Sequence, residues 1–190
     1  LLEIFEAYKY GCVTLYDWDD DPMYDDYPVI ELEQVKRQES GIYKVQNRDW
    51  KGVIDCFAER TPEGKALVAD RAILLEDITS YLPSNEYKPL TGKMGSCRKD
   101  RCDIFVTAHQ INRCPNYVLQ NLDMLVLFKT SDNLDQVVKD SVRKPELVIR
   151  AFERIKRSTN PHAYEVVMLT DSEAEVPKKE IFLLGVGDPQ

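Results

Sequence analysis

The sequence predicts an α/β fold: a mostly parallel central sheet flanked by helices, in one domain covering residues 1–190, with a C-terminal hairpin at the sheet edge. Three observations predict it. Short apolar runs at 12–18, 71–75 and 103–108 read as buried strands of the kind found in parallel sheets, and 124–129 reads as a further strand. The first three end in polar residues, Asp17, Glu76–Asp77 and His109–Gln110, at the carboxyl side, where the open edge of an α/β sheet binds ligands. Segments with apolar residues at helical spacing accompany these strands, and 190 residues are enough to bury a core without disulfides or metals.

Composition narrows the class. With 43% apolar and 31% charged residues the chain is an ordinary globular one. No run approaches the roughly 18–20 apolar residues that span a bilayer, and the stretch LLEIFEAYKY carries acids where a signal peptide has positive charge. Thirty-three acids against 25 bases give a net charge of −8, so the surface as a whole repels polyanions. Any contact with DNA is therefore expected to be local, through a pore-lining loop or a basic segment such as Arg150–Arg157. The five cysteines are odd in number and scattered, which points to reduced thiols. Cys97, Cys102, His109 and Cys114 cluster in sequence but match no CxxC pairing, so zinc is not expected.

Residues 1–10 place Leu1, Ile4, Phe5 and Tyr8 at helical spacing, and Gly11 ends that helix. The loop at 17–28, rich in Asp, Tyr and Pro, cannot be helical through its prolines and belongs at the surface. It lacks the Gly and terminal Glu of a calcium loop, so it reads as solvated. Residues 29–40 form a short strand or helix, 41–46 a strand, and 49–59 a helix presenting Trp50, Val53, Ile54 and Phe57 on one face. Residues 79–96, polar and interrupted by Pro83 and Pro89, read as a mobile connection. A loop and short helix occupy 111–121, and two helices follow at 133–142 and 145–158, the second with Pro145 in its first turn. The strands at 163–169 and 181–186 pair as the edge hairpin across a charged turn at 171–180.

The stretch RAILLED at 71–77 organises the chain. Two adjacent acids at the end of a buried strand carry a desolvation cost unless they do chemistry or cap the next helix. In a nucleotide-hydrolysing site one acid reaches Mg²⁺ and the other polarises the attacking water. The order of RAILLED (71–77), GSCRKDRCDIFVTAHQ (95–110) and NLDMLVLFK (121–129) resembles the second half of a P-loop ATPase of the FtsK and HerA class. That class includes DNA translocases and viral genome-packaging motors. Its acids usually stand Asp-Glu; here they stand Glu-Asp.

The resemblance implies a RecA/FtsK-type P-loop NTPase sheet that binds ATP and Mg²⁺, with Glu76 at the metal and Asp77 at the water. Gln110 would be the amide that senses the γ-phosphate, since an amide both donates to a phosphate oxygen and holds a water. Arg98 or Arg101 would act in trans as an arginine finger, which requires a homo-oligomeric ring. The work implied is translocation or packaging of DNA, in the cytoplasm, or the host cytoplasm for a viral chain.

The phosphate loop that such an ATPase needs is absent. TGKMGS (91–96) fails the GxxxxGK[ST] pattern, because Tyr87 stands where Gly is required and Met94 where Ser or Thr is required. In the family that loop stands just before a helix like 1–10, so the native chain is expected to continue upstream with its first strand and phosphate loop. Two alternatives stay open: a non-hydrolysing ATPase-like scaffold, such as a phage assembly protein, and a metal-dependent nuclease using Asp17, Glu76 and Asp77.

Overall fold

Four strands, β1 (Cys12–Tyr16), β2 (Gly41–Val45), β3 (Arg71–Leu75) and β4 (Cys102–Val106), form a parallel sheet in the order β2-β1-β3-β4. The computed structural model describes residues 11–129, 138 and 141–170. Every residue of β1 and β3 is buried, Thr14 and Arg71 included, as their largely apolar character requires of central parallel strands. Side chains alternate between two cores. Tyr16, Ile73 and Leu75 pack on one face of the sheet, and Val13, Leu15, Ala72 and Leu74 pack with Tyr24 on the other.

Helix α1 (Trp50–Ala58) covers the first face with Val53, Ile54 and Phe57. Asp49 caps it, its carboxylate accepting from Gly52 N at 3.1 Å. Residues 32–37 form a 3-10 turn. The buried Arg71 guanidinium clips that turn to the start of the sheet, donating to the carbonyls of Val35 (2.9 Å) and Gln38 (2.8 Å).

The connection expected at 79–96 is overturned, because helix α2 (Lys88–Asp100) takes up its second half. Pro89 falls in the first turn, where its missing N–H is no loss. Leu90, Lys93 and Asp100 anchor the inner side. The Asp100 carboxylate accepts from Ser96 Oγ (2.7 Å), Arg60 Nη2 (2.8 Å) and Lys93 Nζ (3.1 Å), and Lys93 also donates to Val68 O at 2.6 Å. Arg101, in the left-handed region at φ 52°, ends the helix.

A second, two-stranded sheet pairs β5 (Met124–Phe128) antiparallel with β6 (Tyr164–Met168). Between the two sheets in sequence lies the one-turn α3 (Asn116–Leu119), and α4 (Pro145–Arg157) buries Val148, Ala151, Phe152 and Ile155 against Leu127 and Val167. The partner observed for β6 is thus β5. The expected pairing of β6 with 181–186 lies outside the described residues, as do the helix at 1–10, the turn at 171–180 and most of the helix at 133–142. Among the described residues no helix is long and apolar enough to cross a membrane.

Candidate functional site

Parallel pairing in register brings the carboxyl ends of β1, β3 and β4 to one rim, with Tyr16 level with Leu75 and Leu75 level with Val106. The residues that follow are Asp17, Glu76–Asp77 and Thr107. Two backbone bonds carry the ladder to that rim: Glu76 N donates to Tyr16 O at 3.1 Å, and Thr107 N to Leu75 O at 3.0 Å. The Thr107 hydroxyl then joins the acid pair, donating to Glu76 Oε2 at 2.6 Å and accepting from Asp77 N at 2.7 Å.

Asp77 stands in the left-handed region at φ 34°, which turns the chain sharply out of β3. Asp tolerates this region better than most residues, and such strain is found preferentially at functional sites. Its carboxylate accepts from Thr79 Oγ1 at 2.6 Å and from the Ser80 hydroxyl, so it reaches over the turn that follows. Glu76 faces inward. Burial raises its carboxyl above the ordinary glutamate range and the charge of Asp77 adds to the rise, against the Thr107 hydrogen bond and the nearby His109.

Gln110 opens the 3-10 turn at Ile111–Arg113, half-buried, and its side chain makes no capping bond. Burial, with the charge of Asp77 adding to it, pushes the thiol of Cys114, just after this turn, up to about 12. Beside the rim, Tyr81 packs edge-on against Tyr16 (5.3 Å) and tilted on Trp18 (5.4 Å), and its buried hydroxyl has no hydrogen-bond partner among the described residues.

The rim therefore gathers Glu76, Asp77 and Thr107, and His109–Gln110 follow Thr107 closely in the chain. Arg98 and Arg101 are not there: both are exposed and lie at the other end of β4, where Arg101 donates to Asp70 Oδ2 at 2.7 Å. Asp17 lies at the rim but is already paired, fully buried, with the buried Lys44 at 3.5 Å, which weakens its claim as a metal ligand in a nuclease. Cys97 lies in the last turn of α2 and Cys102 opens β4, whereas His109 and Cys114 follow the end of β4, so the four do not assemble. Among the described residues no group of three or more His, Cys, Asp or Glu side chains is arranged to hold a metal.

Thr107 and Tyr81 escaped the sequence reading. For Thr107 a signal existed, a hydroxyl directly after an apolar strand that ends beside an acid pair. Thr107→Val keeps the shape but leaves a half-buried carboxylate and an amide unpaired. It is expected to lower stability by about 1.5–3 kcal/mol in urea unfolding.

No protein-family model matches the chain, and no curated protein matches it. Solved structures do. The genome packaging NTPase B204 from Sulfolobus turreted icosahedral virus 2, in complex with AMP, superposes with a TM-score of 0.64 over 89% of this chain and 82% of that one, at 10% identity. The chain has an NTPase fold. The same NTPase in complex with ATP-gammaS gives a TM-score of 0.65 at 9% identity, covering 88% of this chain and 81% of that one. B204 from Sulfolobus Turreted Icosahedral Virus, described as a DNA-packaging ATPase, gives 0.61 at 11% identity, covering 88% and 82%. Within the NTPase fold the rim bearing Glu76, Asp77 and Thr107 is the carboxyl edge at which α/β proteins bind their ligands.

Proposed function

We propose that this chain is the nucleotide-hydrolysing part of a DNA-packaging or DNA-translocating motor. The observation that carries the proposal is the joining of Glu76 and Asp77 by the Thr107 hydroxyl at the carboxyl rim of a parallel sheet. Similarity of fold to the B204 packaging NTPase supports it. ATP would lie at this rim, with Gln110 toward the γ-phosphate. Asp77 would orient and deprotonate the attacking water; its oxygen bonds to the γ-phosphorus, and the bond from that phosphorus to the β–γ bridging oxygen breaks to release ADP. Glu76 suits Mg²⁺, which prefers one or two carboxylates together with substrate phosphates. When bound, the ion would neutralise charge on the phosphate oxygens. Arg98, exposed and in no ion pair among the described residues, is the candidate to serve the site of a neighbouring subunit in a ring.

Residues 1–190 contain no GxxxxGK[ST] loop. The edge of β4 that faces away from β3 has no ladder partner among the described residues, and neither has the edge of β5 that faces away from β6. A further parallel strand carrying a phosphate-cradling loop would pair at the β4 edge, with its carboxyl end on the same rim.

Acidification gives a test of the Glu76 role. Its carboxyl titrates above the ordinary glutamate range, so Mg²⁺-dependent turnover is expected to fall at a higher pH than an unperturbed carboxylate would dictate. The folded value lies above the unfolded one, so the protein loses stability as pH rises through that window. Glu76→Gln, which keeps an acceptor for Thr107, is expected to be at least as stable as the parent at neutral pH and to have lost its turnover. A parent-like rate–pH profile in Glu76→Gln would reject the assignment.

One observation favours a second reading, a scaffold that has the sheet without hydrolysis: the Asp77 carboxylate is held by the hydroxyls of Thr79 and Ser80. Titrating the complete protein with a non-hydrolysable ATP analogue and then assaying phosphate release separates the two. Binding without release supports the scaffold.

A further inference from the structure

The outward side of α2 is strongly basic. Between Lys88 and Arg101 stand five bases, Lys88, Lys93, Arg98, Lys99 and Arg101, against the single acid Asp100, in a chain whose net charge is −8. Lys88, Gly92, Gly95 and Lys99 recur at intervals of four, three and four residues, so they form one stripe along the helix, and all four are exposed. Beside the stripe opens a cavity of about 480 Å³, whose lining includes Arg60, Gly64, Lys88, Gly92, Ser96 and Lys99. The only acid of the helix is turned inward and buried, shared by Lys93, Arg60 and Ser96. Among the described residues Lys88 and Lys99 form no ion pair, so their charges face solvent unopposed.

The two glycines need a reason. Inside a helix Gly is less stable than Ala, because it has more backbone freedom to lose. Close packing within the chain does not supply the reason, since a Cβ at either position would meet nothing within 4 Å. A molecule lying directly on the helix backbone would supply it. From Lys88 to Lys99 the stripe is about 16 Å long at 1.5 Å per residue. That length is enough to meet more than one phosphate of a DNA strand.

We propose that this face of α2, flanked by Arg60, binds the phosphodiester backbone of duplex DNA: Lys88 and Lys99 contact phosphates, and Gly92 and Gly95 let the strand approach the helix. It rests on the proposed function in naming DNA as the polyanion; the charge and shape of the face are independent of the catalytic rim. Phosphate contacts carry no sequence information, which suits a protein that moves along any sequence.

The test is binding of a short fluorescent duplex to the complete protein, without nucleotide, between about 50 and 200 mM salt. The parent is expected to bind, with log K falling linearly in log salt. Lys88→Gln/Lys99→Gln is expected to bind about tenfold more weakly at the low-salt end, with a slope shallower by about 2. Gly92→Ala/Gly95→Ala is expected to melt at a higher temperature than the parent and yet bind DNA more weakly, a combination that damage to folding cannot produce. A parent that does not bind the duplex, or a lysine variant with unchanged affinity and slope, overturns the proposal. So does a lysine variant that binds DNA as the parent does but changes self-association in sedimentation, because the face would then be a contact between copies. Loss of the salt slope together with failure to bind an ATP analogue would uphold this face and remove the catalytic reading. An intact slope with normal ATP turnover would do the reverse.

Discussion

Asp77→Asn in the complete protein is expected to lower Mg²⁺-dependent ATP turnover by about 10²–10⁴-fold, the range associated with loss of a positioned general base. The substitution is a narrow one. Asn is nearly the same size, tolerates the left-handed backbone that Asp77 adopts at φ 34°, and retains one oxygen to accept from Thr79 or Ser80. The Asp77 amide still donates to Thr107, so the turn out of β3 is preserved. What disappears is a negative charge and a basic oxygen. Removing that charge also relieves Glu76, whose raised carboxyl should move back toward the ordinary range. Phosphate release under saturating ATP measures the first effect, and the melting temperature checks the second half of the claim, that the fold is unaffected. A variant that turns over ATP at the parent rate would remove Asp77 from the mechanism.

The largest effect on stability is expected at Asp100. Burial by itself would raise its carboxyl, but hydrogen bonds from Ser96, Lys93 and Arg60 outweigh burial and hold it below the ordinary aspartate range. Asp100→Asn leaves the buried Lys93 ammonium facing only neutral acceptors, the Val68 carbonyl and the new amide oxygen. Breaking a buried pair on one side costs about 3–5 kcal/mol, because the surviving charge is left uncompensated. Lys93→Met/Asp100→Leu removes both charges and is expected to recover most of that loss, since Arg60 is partly exposed and can hydrate. Denaturant unfolding of the three proteins measures both numbers. The contribution also depends on pH in a defined direction. The folded value lies below the unfolded one, near about 3.9, so the stabilisation is present above that pH and is lost as pH falls through the folded value. Below about pH 4 the parent should therefore lose stability faster than Asp100→Asn.

Strand positions were legible because apolar runs of about five residues bounded by turn residues have few other interpretations. The runs at 71–75 and 124–129 emerge as β3 and β5 nearly to the residue. Helix α2 was not legible: two glycines and Pro89 read as loop chemistry, and the residues that hold the helix in position, Lys93 and Asp100, are charged and so look like surface. Their burial depends on Arg60 and Val68, more than 24 residues away in sequence, which no local pattern contains. The same limit hid Thr107. Its hydroxyl matters only because β4 lies beside β3 in register.

From the sequence alone came the class of fold, the acid pair at the end of a buried strand, and the expectation that the amide of Gln110 would join it, whereas the residue bonded to the pair is Thr107. These follow from local chemistry, because burial on both faces and a sharp polar stop are properties of a few consecutive residues. Tertiary structure alone decided which polar ends meet. Parallel pairing set Thr107 against Glu76 and Asp77, set Asp17 against Lys44, and left Arg98 and Arg101 at the opposite end of β4. Strand order and register are long-range choices, fixed by how whole faces pack, and a residue's partners across a sheet are not encoded in its neighbours along the chain.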